Sequence, residues 1–236
     1  MINPIKKISF LFLSFILLST GYSQNFNYPG PGFDEAFLFP IGWSNDGKRL
    51  AYGMFTSESN AQVGDDIYSL KINVLDLVSD AMLWQVDKSW FGSDADHPGS
   101  AKDAWNTVNQ ETPEGLNAQI ESYGIGVLAS SANFTGSDDD QICTIPLSRS
   151  NDEITLIIYE EDAGEEIQMG ASISYEIEAR SRNLGEKKIA EGRIPSYCHV
   201  YIRGYMFNPD ESRIAIILHK RGHFNHPEFD IITSAG

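Results

Sequence analysis

The stretch Ile173-Ser174-Tyr175-Glu176-Ile177-Glu178-Ala179-Arg180 decides the fold class of this chain. Apolar residues occupy every second position, and Ser, Glu and Arg fill the positions between them. Successive side chains of a β-strand point to opposite faces, so this period of two predicts a strand with one buried and one hydrated face. Half-buried strands are common in antiparallel sheets. The stretch therefore predicts an antiparallel β protein.

Runs rich in Tyr, Phe, Leu, Ile and Val fill most of the chain, and turn residues such as Asn45-Asp46-Gly47 separate them. They predict strands at 37–43, 49–56, 66–77, 82–86, 141–147, 153–160, 171–180, 187–192, 199–207, 213–219 and 228–233. We expect a mainly β fold, packed as an antiparallel β-sandwich or a partly closed barrel.

A short helical insertion at about 100–124 interrupts these strands. Ser100 and Asp103 resemble a capping box, and apolar residues then recur at helical spacing up to Val108. A second helix is predicted to begin at Thr112-Pro113, with proline at the first helical position, and to end at Gly124. We expect both helices to cover one face or end of the sheet.

The first 23 residues differ in kind from the rest. Lys6 and Lys7 precede an almost unbroken apolar run over 8–18, which is too short to cross a bilayer but typical of a signal peptide. Small residues follow, and we predict cleavage before Gln24, with an uncleaved anchor as the alternative. Residues 24–236 then form one β-rich extracytoplasmic domain, periplasmic or secreted, with no stable membrane span after cleavage.

The charge balance excludes some partners. The chain has 33 acidic against 17 basic residues, a formal charge of −16, and loss of Lys6 and Lys7 makes the mature charge about −18. Nucleic acid and anionic bilayer surfaces both require a cationic face. We therefore expect no nucleic-acid partner, and expect instead an unknown protein or small ligand of the cell envelope.

One internal repeat relates the two ends of the mature chain. The segment 43–52, Trp-Ser-Asn-Asp-Gly-Lys-Arg-Leu-Ala-Tyr, aligns without gaps to 207–216, Phe-Asn-Pro-Asp-Glu-Ser-Arg-Ile-Ala-Ile. Asp46 with Gly47, and Asp210 in the second copy, are predicted to form tight turns, because an Asp side chain can accept hydrogen bonds from the following backbone amides. We expect the two hairpins to be related by approximate internal symmetry and to pair near each other.

This repeat resembles the W-S-P-D-G-K-x-L-A-Y hairpin of TolB-type propellers, although two copies are too few for a complete propeller. The wider layout resembles the predicted secreted bacterial proteins of domain-of-unknown-function family 2259. That resemblance rests on the signal peptide, on 41–52, on the strand ending in Val74-Leu75-Asp76-Leu77, and on 198–204 followed by 207–210. It implies an extracytoplasmic β-rich protein and no catalytic residues.

The two cysteines are a disulfide candidate. Cys143 and Cys198 both lie in the mature chain, and an even pair in an oxidising compartment favours a bridge. The bridge would close a loop of 55 residues, worth about 3–4 kcal/mol in the chain-entropy model. Two buried thiols are the alternative.

Histidine and acidic clusters are the candidates for a metal centre. His219, His223 and His226 lie near Glu228 and Asp230, and imidazole with carboxylate is a usable zinc shell. Gly222 and Pro227, however, prevent a regular helix from presenting two ligands, so we assign no metal or other cofactor and favour a polar hairpin tip. The acidic runs 94–96 and 138–140 lack the order of a calcium-binding loop and are expected to be solvated turns.

Catalytic motifs are missing from the sequence. It has no G-x-S-x-G elbow and no phosphate-binding glycine loop. Trp43 and Trp105 fall on predicted core faces, which leaves Trp84 and Trp90 as an exposed pair for stacking on sugars. We expect a non-enzymatic binding or interaction module, with contacts on a sheet edge, the turns and the loop 57–66. The alternative is a hydrolase or metal-dependent enzyme using the His, Asp and Glu residues near 219–230.

Overall fold

The computed structural model describes residues 38–60, 64–129, 133–134, 141–149, 151–161, 171–183, 185–222 and 228–235. In chain order, the elements in these ranges are β1 Leu38–Ser44, β2 Arg49–Asn60, β3 Asp65–Asp76, β4 Ala81–Phe91, α1 Ala101–Glu111, α2 Leu116–Ser122, β5 Ile125–Leu128, β6 Asn133–Phe134, β7 Ile142–Leu147, β8 Asp152–Glu160, β9 Ser172–Ser181, β10 Gly185–Pro195, β11 Cys198–Phe207, β12 Arg213–Gly222 and β13 Glu228–Ala235. The prediction of a mainly β fold with a short helical insertion is confirmed.

The strands form three antiparallel sheets. The first sheet has the order β4-β3-β2-β1-β5, the middle sheet β13-β12-β11-β6, and the last sheet β10-β9-β8-β7. Most neighbours within a sheet are also neighbours in sequence, so each sheet is largely a meander. The strand pattern did not predict β5 or β6, because they have only four and two residues.

The sheets stack face to face, with helices at one end. One core lies between α1, α2 and the first sheet and includes Phe39, Leu70 and Trp105. A second core, which includes Trp43 and Ile217, joins the opposite face of the first sheet to the middle sheet. A third core joins the middle sheet to the last sheet. The layers are therefore helices, first sheet, middle sheet and last sheet.

Bulges let single strands contribute to two cores. In β11 the pairing register shifts between Ile202 and Gly204. Before this shift Val200 and Ile202 pack toward the last sheet, whereas beyond it Met206 packs toward the first sheet. A one-residue shift exchanges the two faces of a strand, because its side chains alternate. The middle sheet is thereby buried on both sides.

The helical insertion begins at the residue that the sequence predicts, but its second helix begins later than predicted. Ser100 caps α1, and its hydroxyl accepts a hydrogen bond from the Asp103 N–H at 3.2 Å. The predicted start of the second helix at Thr112-Pro113 is wrong. Thr112 is the C-cap of α1, and α2 begins only after Gly115, where the Asn109 side chain accepts a hydrogen bond from the Leu116 N–H at 2.8 Å. A side chain from the preceding helix thus sets this start.

The internal repeat is arranged head to tail. Trp43, Leu50 and Tyr52 of the first copy pack between the first and middle sheets. Their counterparts Phe207, Ile214 and Ile216 pack between the middle and last sheets. Equivalent faces therefore point the same way along the stack, as in successive blades, whereas a two-fold axis would turn them toward each other.

Candidate functional site

The turn between β1 and β2 is held by Ser44 and Asp46. The Ser44 hydroxyl accepts hydrogen bonds from the backbone N–H groups of Lys48 and Arg49, at 3.1 and 2.9 Å. It donates to Asp46 Oδ1 at 2.7 Å, and this carboxylate also accepts from the Lys48 N–H at 3.1 Å. Donors aimed at the ionised carboxylate, first the Ser44 hydroxyl and then the Lys48 amide, lower the pKa of Asp46.

The turn between β11 and β12 is built on the same plan with different residues. Asn208 Oδ1 accepts a hydrogen bond from the Arg213 N–H at 2.9 Å, as Ser44 does from Arg49. Asp210 Oδ1 accepts from the hydroxyl and the N–H of Ser212, at 2.6 and 3.1 Å. These two bonds lower the pKa of Asp210.

The two turns touch each other at Gly47. A Cβ atom built on Gly47 would lie 2.2 Å from the Asn208 Nδ2 atom. Asn208 is buried, and Nδ2 donates a hydrogen bond to the Ser212 hydroxyl at 3.1 Å. The two hairpins therefore lie near each other, as expected, but they do not pair in one sheet. They meet through their turns and the core between their sheets, and do not share a strand ladder.

Gly47 and its counterpart Glu211 both adopt the left-handed backbone conformation. Their φ angles are 66° and 57°. In each turn this residue donates its N–H to the carbonyl three residues earlier, at 2.9 Å to Ser44 and 3.0 Å to Asn208. Glycine adopts this conformation without penalty, whereas a residue with a Cβ pays about 1–2 kcal/mol. The second turn therefore retains a strained residue where the first has glycine.

A cleft of about 280 Å³ opens beside the second turn, between the middle and last sheets. Its apolar walls belong to the open end of the core between these sheets and come from Leu147, Ile154, Ala179, Ile189, Phe207 and Ile214. Small-molecule sites are usually concave, mainly apolar and about 300–1,000 Å³ in volume, with a few polar groups. The volume of the cleft is just below that range.

Glu211 supplies a polar group to the wall of this cleft. Its Oε1 accepts a hydrogen bond from the Ser148 hydroxyl, which joins the middle and last sheets. Its Oε2 is buried and has no hydrogen-bond partner. A buried polar atom without a partner costs about 1–3 kcal/mol. Glu211 thus combines a strained backbone with one unsatisfied carboxylate oxygen.

Basic residues also line the cleft. Arg213 Nη1 is buried without a hydrogen-bond partner, whereas Nη1 of its counterpart Arg49 donates to the Tyr123 carbonyl at 2.7 Å. Lys187 and Arg180 belong to the lining as well, and Arg180 pairs with Glu178 at 2.8 Å. The rim of the cleft therefore carries charges of both signs.

The structure describes only part of the histidine cluster. His219 lies on β12 opposite Tyr201 and Phe229, half-buried and on the strand face that carries Ala215 and Ile217. His223 and His226 lie outside the described residues. Within the described ranges, no three His, Cys, Asp or Glu side chains converge as a metal centre would require. The alternative of an enzyme using residues near 219–230 therefore stays a hypothesis.

The cysteine pair lies on two sheets that share a core. Cys143 is buried in β7, and Cys198 is half-buried at the start of β11. Both pack into the core between the middle and last sheets. Cys143 also lies close enough to Tyr205 to help raise its pKa, after the larger effect of burial. The disulfide stays a prediction, checked by the mass of the purified native protein with and without reductant.

The acidic run 94–96 is described, and Asp94 makes hydrogen bonds to nearby groups of the same loop. Asp94 Oδ2 accepts a hydrogen bond from the Phe91 N–H at 2.9 Å, and its carbonyl contacts His97 Nδ1 at 2.8 Å. The run 138–140 lies outside the described residues.

The loop predicted at 57–66 is wrong in extent, since β2 continues to Asn60 and β3 begins at Asp65. Cross-strand pairing extends this hairpin well past its apolar run.

A histidine–carboxylate pair that sequence reasoning missed joins β8 to β11. Glu160 Oε2 contacts His199 Nδ1 at 2.8 Å, and its Oε1 accepts from the Val200 N–H at 2.5 Å. The carboxylate side chain is 11% exposed and the imidazole 51% exposed. Glu160 also borders a broad depression of about 800 Å³ on the last sheet. The partners are 39 positions apart in the chain, so no spacing rule could have revealed the pair.

The proposed tryptophan platform is not an exposed pair. Trp90 is 5% exposed and belongs to the core beneath the helices. Trp84 packs against that core and stacks on Tyr123, with ring centroids 6.2 Å apart. The expectation was wrong because α1 and α2 cover this face of β4. Trp43 and Trp105 are buried, as predicted.

Comparisons with known proteins give no family for this chain: no protein-family model matches it, and a search of curated proteins returned no match. The helices in the described ranges are too short and too polar to cross a bilayer. The cleft beside the second turn is the feature with the composition of a small-molecule site. The residues that line it in the described part of the chain include no histidine or cysteine.

Proposed function

We propose that this chain is an exported, non-enzymatic binding module of the cell envelope, and that it holds a small, mainly apolar molecule in the cleft between its middle and last sheets. One observation carries the proposal. The cleft between the middle and last sheets is mainly apolar, and Glu211, Arg213 and Lys187 bring a few polar groups to its lining. Small-molecule sites usually have this composition, so the cleft favours a bound molecule of this kind.

Export is supported by the N-terminal sequence. The apolar run 8–18 after Lys6 and Lys7 is typical of a signal peptide, and it lies outside the described residues. The resemblance to family 2259 implies the same extracytoplasmic location. We therefore place the mature chain, 24–236, in the periplasm or outside the cell, with a small ligand or a protein of the envelope as its partner.

The proposed binding site is tested by a substitution that fills the cleft. Ala179 is half-buried in the cleft wall, and Ala179→Phe adds a ring to a volume of about 280 Å³. The mature protein is titrated with the fluorescent probe anilinonaphthalene sulfonate, which brightens in apolar sites. We expect saturable binding at one site, and affinity at least about tenfold weaker in the filled variant, because loss of an apolar contact surface of this size exceeds 1.4 kcal/mol.

The matched control is Ala81→Phe, which adds the same ring at an exposed alanine at the start of β4. This variant should bind the probe as the unmodified protein does. Urea unfolding of both variants shows whether each is folded. Unchanged binding by a folded Ala179→Phe protein, or equal loss in both variants, would contradict the proposed site.

A further inference from the structure

We infer that the ligand of this cleft is an anionic amphiphile, with an apolar body between the cleft walls and an anionic head group, such as a carboxylate, against Lys187 at the mouth. The inference rests on the proposed function and adds the chemical class of the ligand. It follows from the charges of the lining, from the way Glu211 is engaged, and from the position of Lys187 on its strand.

The lining of the cleft is cationic although the chain is acidic. Among the described residues, three cations, Arg180, Lys187 and Arg213, line the cleft together with one acid, Glu211. The whole chain has 33 acidic and 17 basic residues, and the broad depression on the last sheet has four glutamates and one arginine in its lining. Cations are therefore concentrated beside the apolar walls, where they attract an anionic group and repel an ammonium group.

The acid of the lining presents little repulsion to an anionic head group. Glu211 Oε1 accepts a hydrogen bond from the Ser148 hydroxyl, and Oε2 is shielded from solvent by the protein. One oxygen is thus occupied, and the other is out of reach of a molecule in the cleft. Arg213 lines the same cleft and offsets the charge of Glu211 at a distance.

Lys187 is the cation placed to hold the head group. It lies directly opposite Ala179 across the β9–β10 pair, so its side chain leaves the strand on the face of the apolar wall. Lys187 is exposed whereas Ala179 is half-buried, which puts the ammonium group at the mouth and the apolar surface below it. Arg180 contributes less, because it pairs with Glu178 at 2.8 Å and with Glu186 at 3.3 Å.

The apolar walls and the cationic mouth together select an amphiphile. Ile214 is 6% exposed, and Leu147, Ile154 and Phe207 are half-buried, so apolar surface continues inward from Lys187. A small inorganic anion would leave these walls uncovered and gain only an exposed ionic contact, which is weak in water. An uncharged apolar molecule would cover the walls but lack the ionic contact. A molecule with both parts gains from both contacts.

The test compares three probes with one apolar body: phenylbutanoate, phenylbutanamide and phenylbutylamine. At neutral pH their head groups are anionic, uncharged and cationic. Binding to the mature protein is measured by displacement of phenylnaphthylamine, an uncharged fluorescent probe whose own binding does not depend on the cations. We expect phenylbutanoate to bind about fivefold more tightly than the amide, and the amine to bind most weakly, since a partly exposed ionic contact contributes up to about this factor.

The variant Lys187→Gln removes the cation and should bring the affinities of phenylbutanoate and phenylbutanamide to within about twofold of each other. Lys188→Gln is the matched control, because it changes the net charge by the same amount one residue further along β10. The Lys188 ammonium group pairs with Glu176 at 2.8 Å and with Glu191 at 2.5 Å, and Lys188 is not part of the cleft lining. This variant should keep the preference. Urea unfolding shows that each variant is folded.

The outcomes separate the two proposals. Binding of all three probes with no preference for the anion would overturn the inference and leave the binding site standing. Preference for the amine or the amide would also overturn it, as would an anion preference that survives in Lys187→Gln or is lost equally in Lys188→Gln. Failure of every probe, including phenylnaphthylamine and anilinonaphthalene sulfonate, to bind would overturn both proposals.

Discussion

The two equivalent turns differ in what their residues do for the fold. In the first turn, Gly47 adopts a positive φ freely, and its lack of a side chain leaves room for Asn208. In the second turn, Glu211 adopts nearly the same φ at a cost in conformational free energy, and one of its carboxylate oxygens has no hydrogen-bond partner. One backbone plan therefore supports a turn optimised for packing and a turn that carries a polar group to a cleft.

The arginines that follow the two turns, Arg49 and Arg213, also differ: Nη1 has a hydrogen-bond partner in the first and none in the second. Arg49 Nη1 donates to the Tyr123 carbonyl and so ties the first sheet to the end of α2. Arg213 Nη1 is buried with no such partner. Natural proteins usually depart from local optimality at functional positions and compensate elsewhere. The difference supports the proposal that the second turn borders the binding site, and the following predictions test it.

The largest effect is expected for Gly47→Ala. The new Cβ would meet Asn208 Nδ2 at 2.2 Å at a φ of 66°. Strain and overpacking together should lower the free energy of unfolding by about 3 kcal/mol. Gly64→Ala is the matched control, because Gly64 has a φ of 70° and nothing within 4 Å of the added atom, and it should lose only about 1 kcal/mol. Urea unfolding measures both.

The contact between the turns can be isolated by a double-mutant cycle. In an Asn208→Ala background the clash disappears, and Gly47→Ala should then cost only about 1 kcal/mol, like Gly64→Ala. The coupling free energy between positions 47 and 208 is read from the four unfolding curves. Additive losses would show that the two turns do not constrain each other.

The arginine pair should give the next largest difference. Arg49→Met removes the hydrogen bond to the Tyr123 carbonyl and should cost about 2 kcal/mol. Arg213→Met keeps the aliphatic stem and removes a buried, unsatisfied nitrogen, so its stability should stay within about 0.5 kcal/mol of the unmodified protein. Equal losses in thermal or urea unfolding would contradict the distinction between the two turns.

Glu211→Gly should stabilise the protein by roughly 0.5–1 kcal/mol. It removes the left-handed strain and the unsatisfied oxygen, and part of this gain is offset by glycine flexibility and the lost Ser148 bond. Asp80→Gly relieves a similar φ of 52° at an exposed turn and is the comparison variant. A clear loss of stability in Glu211→Gly would show that the carboxylate is structural.

The smallest effect concerns acid stability. The pKa values of Asp46 and Asp210 are lowered in the folded state by hydrogen bonds from Ser44 and Ser212. Their stabilisation is therefore full above the unfolded-state pKa, near 4, and is lost as the pH falls through the lower folded-state value. Asp46→Asn and Asp210→Asn should each flatten the decline in melting temperature below about pH 4. An unchanged acid decline in both variants would contradict this assignment.

The local elements were largely predictable because they depend on neighbours in the chain. The alternation in 173–180 gives β9, and the Ser100 cap begins α1 where its spacing indicated. The predicted start of α2 at Pro113 was wrong, because Asn109 of the preceding helix supplies the cap at Leu116. Trp90 was misplaced because the helices that cover it come later in the chain and pack by tertiary contact.

The amino-acid sequence by itself determined the strand period, the turn residues, the repeat and the acidic character of this protein, since each depends on residues a few positions apart. The tertiary structure alone decided the head-to-tail stacking of the sheets, the cleft, and the pairs Glu160 with His199 and Ser148 with Glu211. Ser148 and Glu211 are 63 residues apart and meet only because two sheets pack face to face. Packing of that kind depends on the combined shape of many side chains, which no local pattern encodes.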